Sequence, residues 1–285
     1  MIFLRLTILA LVSFLSLKIY AQRYEVGIHG ATSGYMGDLN NSNPFYFKNF
    51  GGGLFVKYNL DPTWGLKLSA NHLLVSGDDS DFDNNFQRLR DLKFRNQITE
   101  LALAADFNFW TYFNSRHKSR LTPYISAGLA LIKHDPYIYY DENKIKLRSL
   151  KLEYDEANNS QLYPNWNIAI PLSLGLKYRL NSTWSIGAEV NYRVAFTDYL
   201  DNVSKYYATA VPADISFPNT LVGLPGEERQ FDVSDWTYLA DPSNNLTGNA
   251  GSARGDGRNK DGYMTAGITL TYTIFDPNCY SWIKR

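Results

Sequence analysis

The stretch from residue 263 to residue 274 alternates without a fault. Met264, Ala266, Ile268, Leu270, Tyr272 and Ile274 fall on one side, and Thr265, Gly267, Thr269, Thr271 and Thr273 on the other. A period of two marks a β-strand with one apolar and one polar face, because successive side chains of an extended chain point to opposite sides. The pattern recurs upstream. Trp184, Ile186, Ala188, Val190, Tyr192 and Val194 alternate with Ser185, Gly187, Glu189, Asn191 and Arg193. Similar alternation carries Ile168 to Tyr178, Trp64 to Ala70, Leu54 to Tyr58, Tyr24 to Ile28, Leu101 to Phe107 and Ile125 to Leu131. Eight strands of roughly 9–14 residues follow, long enough to cross a bilayer at a tilt. Soluble sandwiches favour shorter strands of about 5–6 residues. Pro171 cannot donate to a ladder, so it predicts a bulge or a local break in the sixth strand.

Residues 1–21 read as a signal peptide. Arg5 supplies the positive start, Leu6 to Leu17 is an apolar run, and Ile19, Tyr20 and Ala21 place cleavage before Gln22. The competing reading is an N-terminal anchor, for which the run is short. Beyond it no stretch of about 18 apolar residues occurs, so the mature chain has no helical span. The protein is then either soluble in the periplasm or crosses the outer membrane as strands.

The connections alternate in length. Tight turns fall at 59–63, 114–119 and 181–183, and long links at 37–48, 76–95, 134–165 and 197–260. Short periplasmic turns and long outer loops are the arrangement of membrane barrels. The chain carries 21 Tyr, 16 Phe and 6 Trp, and the placement of these rings matters more than their number. Trp64, Trp110 and Trp184 lie at strand ends beside short turns, and Trp166 and Tyr263 beside long loops. They are expected to form two interfacial girdles against outer-membrane lipids. A soluble lipocalin-like barrel would instead put the apolar faces inside. Export, loop asymmetry and the Trp positions favour the membrane. The reading is therefore all-β: residues 22–285 form an eight-stranded antiparallel transmembrane β-barrel, OmpA/OmpX-like, with long extracellular loops.

Turned inward, the polar faces carry Glu25, His29, Lys57, Lys67, Glu100, Asp106, Lys177, Arg179, Glu189 and Arg193. The lumen of a small barrel is just filled by side chains. Opposite charges are expected to pair there, since an unpaired buried charge is expensive. A proton or solute path is the competing reading. No catalytic, cofactor or metal centre is expected. The four histidines show no metal-binding spacing. A lipid-modifying barrel enzyme would need a Ser–His arrangement at the membrane-facing surface, and no His lies within two residues of a Ser on any strand. Asp256 begins a loop resembling a calcium loop, but Arg258 and Lys260 occupy ligand positions. The acidic run from Gly77 to Asp83 reads as a solvated loop or a weak cation site. The 28 basic and 28 acidic residues give zero net charge, without the basic excess of a nucleic-acid binder. One cysteine, Cys279, excludes an intramolecular disulfide.

Several stretches resemble the PorG-like outer-membrane barrels of the type IX secretion system. The first is Tyr24-Glu25-Val26-Gly27 followed by Tyr35-Met36-Gly37-Asp38-Leu39-Asn40. The second runs from Gly77-Asp78-Asp79-Ser80 through Arg88-Leu89-Arg90-Asp91-Leu92-Lys93-Phe94 to Ile98-Thr99-Glu100-Leu101-Ala102. The others are Thr122-Pro123-Tyr124-Ile125-Ser126-Ala127-Gly128, and Arg254-Gly255 with Lys260-Asp261-Gly262-Tyr263. The resemblance implies a non-catalytic barrel without a cofactor. It also implies contact with a periplasmic ring, formed by a lipoprotein and its partner. The short turns and the tail 276–285, with Cys279 and Trp282, are the candidate contacts. The alternative is an autonomous surface barrel for adhesion or small-solute passage, using the loop 197–260.

Overall fold

Alternating sequences become strands only when both faces find a suitable medium, and here the two media are sharply divided. The computed structural model describes residues 23–83, 85–110, 120–155, 162–213, 215, 221–222, 228–243, 249–257 and 260–274. Eight long strands make the wall: β1 (Arg23–Met36), β2 (Asn49–Asn59), β3 (Trp64–Asp78), β4 (Lys93–Asn108), β5 (Leu121–Lys133), β8 (Trp166–Arg179), β9 (Trp184–Ala195) and β12 (Gly262–Ile274). A hairpin, β6 (Tyr137–Tyr140) and β7 (Asn143–Lys146), joins the edge of β4 through Arg95 and Tyr137. A second small pair is β10 (Leu221–Val222) with β11 (Glu228–Arg229). Every wall strand pairs antiparallel with its neighbours. The pairing of β1 with β12 and of β3 with β4 closes the ring. Closure leaves no unpaired edge, as a membrane-spanning sheet requires.

The outward face is apolar where the inward face is charged. Leu54, Leu68, Leu101, Leu103, Leu129, Ile168, Leu174, Ile186 and Ile268 are all exposed on the outside. An apolar belt of this extent is not tolerated in water. On β8 it runs from Trp166 to Tyr178. At about 3.4 Å per residue and a tilt of about 40°, this spans roughly 30 Å, the thickness of a bilayer core.

The polarity then inverts along β3 and β4. Outward positions turn from Leu66, Leu68 and Ala70 to His72, Ser76 and Asp78, and on β4 from Leu103 and Leu101 to Thr99, Gln97, Arg95 and Lys93. Inward positions turn the other way, to Leu73, Val75, Phe94 and Ile98, all fully or nearly fully buried. These strand ends therefore stand clear of the membrane. They support an apolar core with Leu39, Leu92, Ile145, Leu147, Leu150, Leu200, Phe231, Trp236 and Leu239 from the long loops. The loops thus fold into a cap. The helix Val233–Ala240 belongs to it: Asp232 accepts from the Ser234 and Asp235 amides, and Asp235 returns the bond to the Asp232 amide. Its Trp236 indole donates to the Leu150 carbonyl at 2.7 Å.

The opposite end closes with tight turns built alike. Asp61 Oδ1 accepts from the Thr63 and Trp64 amides at 2.7 and 2.8 Å. Asn181 Oδ1 does the same for Thr183 and Trp184 at 2.9 and 2.7 Å. A short acceptor side chain fixes the reversal. At Pro171 the ladder to β5 lapses between the pairs Ala127–Leu172 and Ala130–Ala169, with the same register on both sides. The proline interrupts the hydrogen bonds and inserts no bulge. The segment 1–21 and the turn at 114–119 lie outside the described residues.

Candidate functional site

Two polar assemblies sit inside the barrel axis, one in the lumen and one beneath the cap. In the lumen four acids face four bases. Lys57 Nζ lies 2.8 Å from Asp106 Oδ2, and Lys67 lies 3.7 Å from Asp106 Oδ1 and 3.0 Å from Glu189 Oε2. Lys177 reaches Glu25 at 3.3 Å, and Arg193 Nε reaches Glu100 at 3.1 Å. Neutral donors complete the carboxylates. Tyr124 donates to Glu189 at 2.5 Å, Asn59 to Glu25 at 3.1 Å and Asn71 to Glu100 at 2.5 Å. Glycine makes the crossing possible: a Cβ on Gly65 would lie 2.4 Å from Lys57 Cε, and one on Gly175 would lie 2.5 Å from the Tyr124 ring. A cavity of about 30 Å³ remains among these side chains, room for isolated waters. His29 lines this space, half-buried. Arg179 stands on the same inward face near the short-turn rim, half-buried.

Trp64, Trp110, Trp166 and Trp184 are all exposed on the outside. Trp64 packs edge-on against Phe107 at 4.9 Å, and Trp184 against Tyr272 at 5.1 Å, both at the short-turn end. Trp166 marks the other end, with Lys133 Nζ 5.6 Å from its ring. The expectation for Tyr263 is corrected: it is fully buried, and its hydroxyl donates to Glu100 Oε2 at 2.6 Å. Its strand parity is that of Thr265, whose hydroxyl accepts from Arg193 at 2.6 Å, so it turns into the lumen and not toward lipid. Cys279 and Trp282 lie outside the described residues.

Beneath the cap, carboxylates gather that the sequence does not group. Tyr35 donates toward both Asp201 Oδ2 at 2.5 Å and Asp261 Oδ1 at 3.0 Å. One phenolic proton cannot serve two carboxylates, so the pair holds another. Burial, reinforced by repulsion from neighbouring carboxylates (Asp261 and Asp38 on Asp201, Asp198 and Asp38 on Asp261), pushes both acids well above the usual range. Burial likewise raises Asp38 to about 7 and Asp198 to about 6. Two buried arginines brace this level. Arg90 binds Asp79 through two 2.7 Å bonds and also donates to the carbonyls of Arg254 and Asp38. Arg254 reaches Glu153 at 3.2 Å and the Asn202 carbonyl at 2.7 Å. The acidic run near Gly77 is fully engaged: Asp78 accepts from the Ser80 amide, Asp79 from Arg90, Asp81 from Lys48 and Asp83 from Arg88.

Comparison with solved structures finds β-barrel proteins similar to this chain at low identity. The N-terminal β-barrel domain of Pseudomonas aeruginosa OprF is 14% identical, covering 88% of this chain and 97% of its own, with a TM-score of 0.36. OprG from the same species is 11% identical over 90% and 98%, with a TM-score of 0.39. Ail, the attachment invasion locus protein of Yersinia pestis, is 10% identical over 89% and 99%, with a TM-score of 0.39. No curated protein matches the sequence. Residues 4–211 match a family described only as a domain of unknown function. Since that match takes in well over half of the sequence, the chain belongs to the DUF6089 family.

Proposed function

We propose that the chain is a non-catalytic, non-conducting outer-membrane barrel that docks the periplasmic ring of the type IX protein secretion machinery to the membrane. The observation that carries this reading is the filled lumen. A barrel whose interior is spanned by balanced ion pairs is suited to acting through its surfaces, not by passing solutes. The sequence resemblance to PorG-like barrels supplies the partner class, a ring lipoprotein and its companion. The turns at 61–63, 114–119 and 181–183 and the tail 276–285 are the proposed periplasmic contact segments. The test is a deletion strain. Type IX cargo should accumulate in the periplasm and be released again when the barrel is restored. Undiminished cargo release in the deletion strain contradicts the reading.

One observation favours a second reading. The long loops form a packed cap with its own apolar core, as a surface-recognition barrel would need. Loss of adhesion with intact secretion after removal of residues 205–249 would select that reading.

A further inference from the structure

We infer that Asp38, Asp198 and Asp256 form a Ca2+-type divalent-cation site that ties the first long loop to both ends of the last. Each residue offers a carboxylate oxygen, and the three oxygens lie within 4.8 Å of one another. Oxygens sharing one Ca2+ at about 2.3–2.6 Å can be no more than roughly 5 Å apart, so the three fit a single ion. A second observation points to a ligand. Asp38 is only 8% exposed, and its Oδ2 has no hydrogen-bond partner among the described residues. Its Oδ1 is occupied by the Asp256 amide at 2.7 Å, and its Oδ2 lies against the chain at Gly255, next to Asp256, 2.7 Å from where a Cβ would stand. A buried acceptor without a donor calls for an explanation, and a cation gives one.

The surroundings agree. Arg90 and Arg254, the buried cations at this level, are committed to Asp79 and Glu153. Ser204 donates to Asp198 Oδ2 at 2.7 Å, which orients that carboxylate from behind. The chain passes at Gly255, where a Cβ would stand 2.6 Å from the Ser204 carbonyl oxygen and 2.7 Å from Asp38 Oδ2. Only glycine lets the two loops approach this closely. The donors are all oxygen and come from loops, without His or Cys. Such a set suits a hard, geometrically tolerant ion such as Ca2+ better than a transition metal.

The test uses the full-length barrel refolded in detergent, with heat-modifiable gel mobility confirming the fold. Calorimetric titration with Ca2+ should show one saturable site per chain. Asp38→Asn and Asp198→Asn should each weaken it at least about tenfold, because affinity follows ligand charge. Should either buried variant fail to fold, the exposed Asp256→Asn carries the same test. Trypsin cleavage after exposed Lys205 should be slower in millimolar Ca2+ than in EGTA. No Ca2+ uptake at millimolar concentration, uptake undiminished by the variants, or preferential uptake of Mg2+ overturns the inference.

Discussion

Replacing Arg193 by methionine removes the cation from the upper lumen while keeping most of the side chain's bulk. Glu100 then stays in a nearly water-free interior, held by Tyr263 and Asn71 alone. Breaking a buried ion pair from one side costs about 3–5 kcal/mol, because the surviving charge is left uncompensated. The two neutral donors persist, so the expected loss lies near the lower end, about 3 kcal/mol. The double variant Glu100→Gln/Arg193→Met has no orphaned charge and should recover most of it. The assay is urea unfolding of the barrel in lipid vesicles, followed by tryptophan fluorescence and gel mobility, with all four members of the cycle compared. A loss below about 1 kcal/mol for Arg193→Met refutes the reasoning, since that is the range of a solvent-exposed pair. A double variant no more stable than the single would refute it equally.

Other outcomes follow from the same structure. Wild-type protein in planar bilayers should show no steady conductance; stable single-channel steps would contradict a filled lumen. Trp236→Ala removes a buried indole and its bond to Leu150, and should cost the cap about 3–5 kcal/mol. Protease sensitivity should then rise in the loops while the barrel core stays resistant. His134 is buried just past β5, stacked on Tyr163, and burial lowers it to about 4. Its ring should titrate near that value by NMR. Because the unfolded ring takes its proton first, stability contributed by neutral His134 is complete above about pH 6.5 and lost as pH falls toward 4. This amounts to at most about 3 kcal/mol. Asp38 and Asp198 have raised values and act in the opposite direction, favouring the folded cap as pH falls through 7 and 6. Comparison with His134→Gln isolates the histidine. A wild-type ring titrating near 6.5 would show that it is not buried.

The barrel wall was legible because burial in lipid imposes a period of two that nothing else in the chain imitates. Leu101, Leu103, Ala105 and Phe107 announce an outward face whatever their neighbours are. The lumen acids and bases could be named from the opposite parity, but their partners could not. Which lysine meets Asp106 depends on the register between strands far apart in sequence. Tyr263 shows how position and parity can conflict. Its place beside a long loop indicates a girdle residue, whereas its alternation with Met264 puts it on the threonine face. Parity decides, because the backbone fixes it. The polarity inversion escapes a sequence reading that ends the strand near Ala70 and makes residues 76–95 a loop, whereas Leu73 and Val75 continue the face begun by Lys67 and Asn71 on a strand that runs to Asp78. The cap was not legible either. Leu39, Leu92, Leu150 and Trp236 follow no shared period and meet only through topology. Asp38, Asp198 and Asp256 come together for the same reason.

The most direct measurement is affinity purification of the tagged native protein from detergent-solubilised membranes, with the co-purifying proteins identified. The account predicts a periplasmic ring lipoprotein and its partner in stable association with a folded, heat-modifiable barrel. A barrel recovered intact and alone, while cargo secretion proceeds through an assembled ring without it, would contradict the docking role.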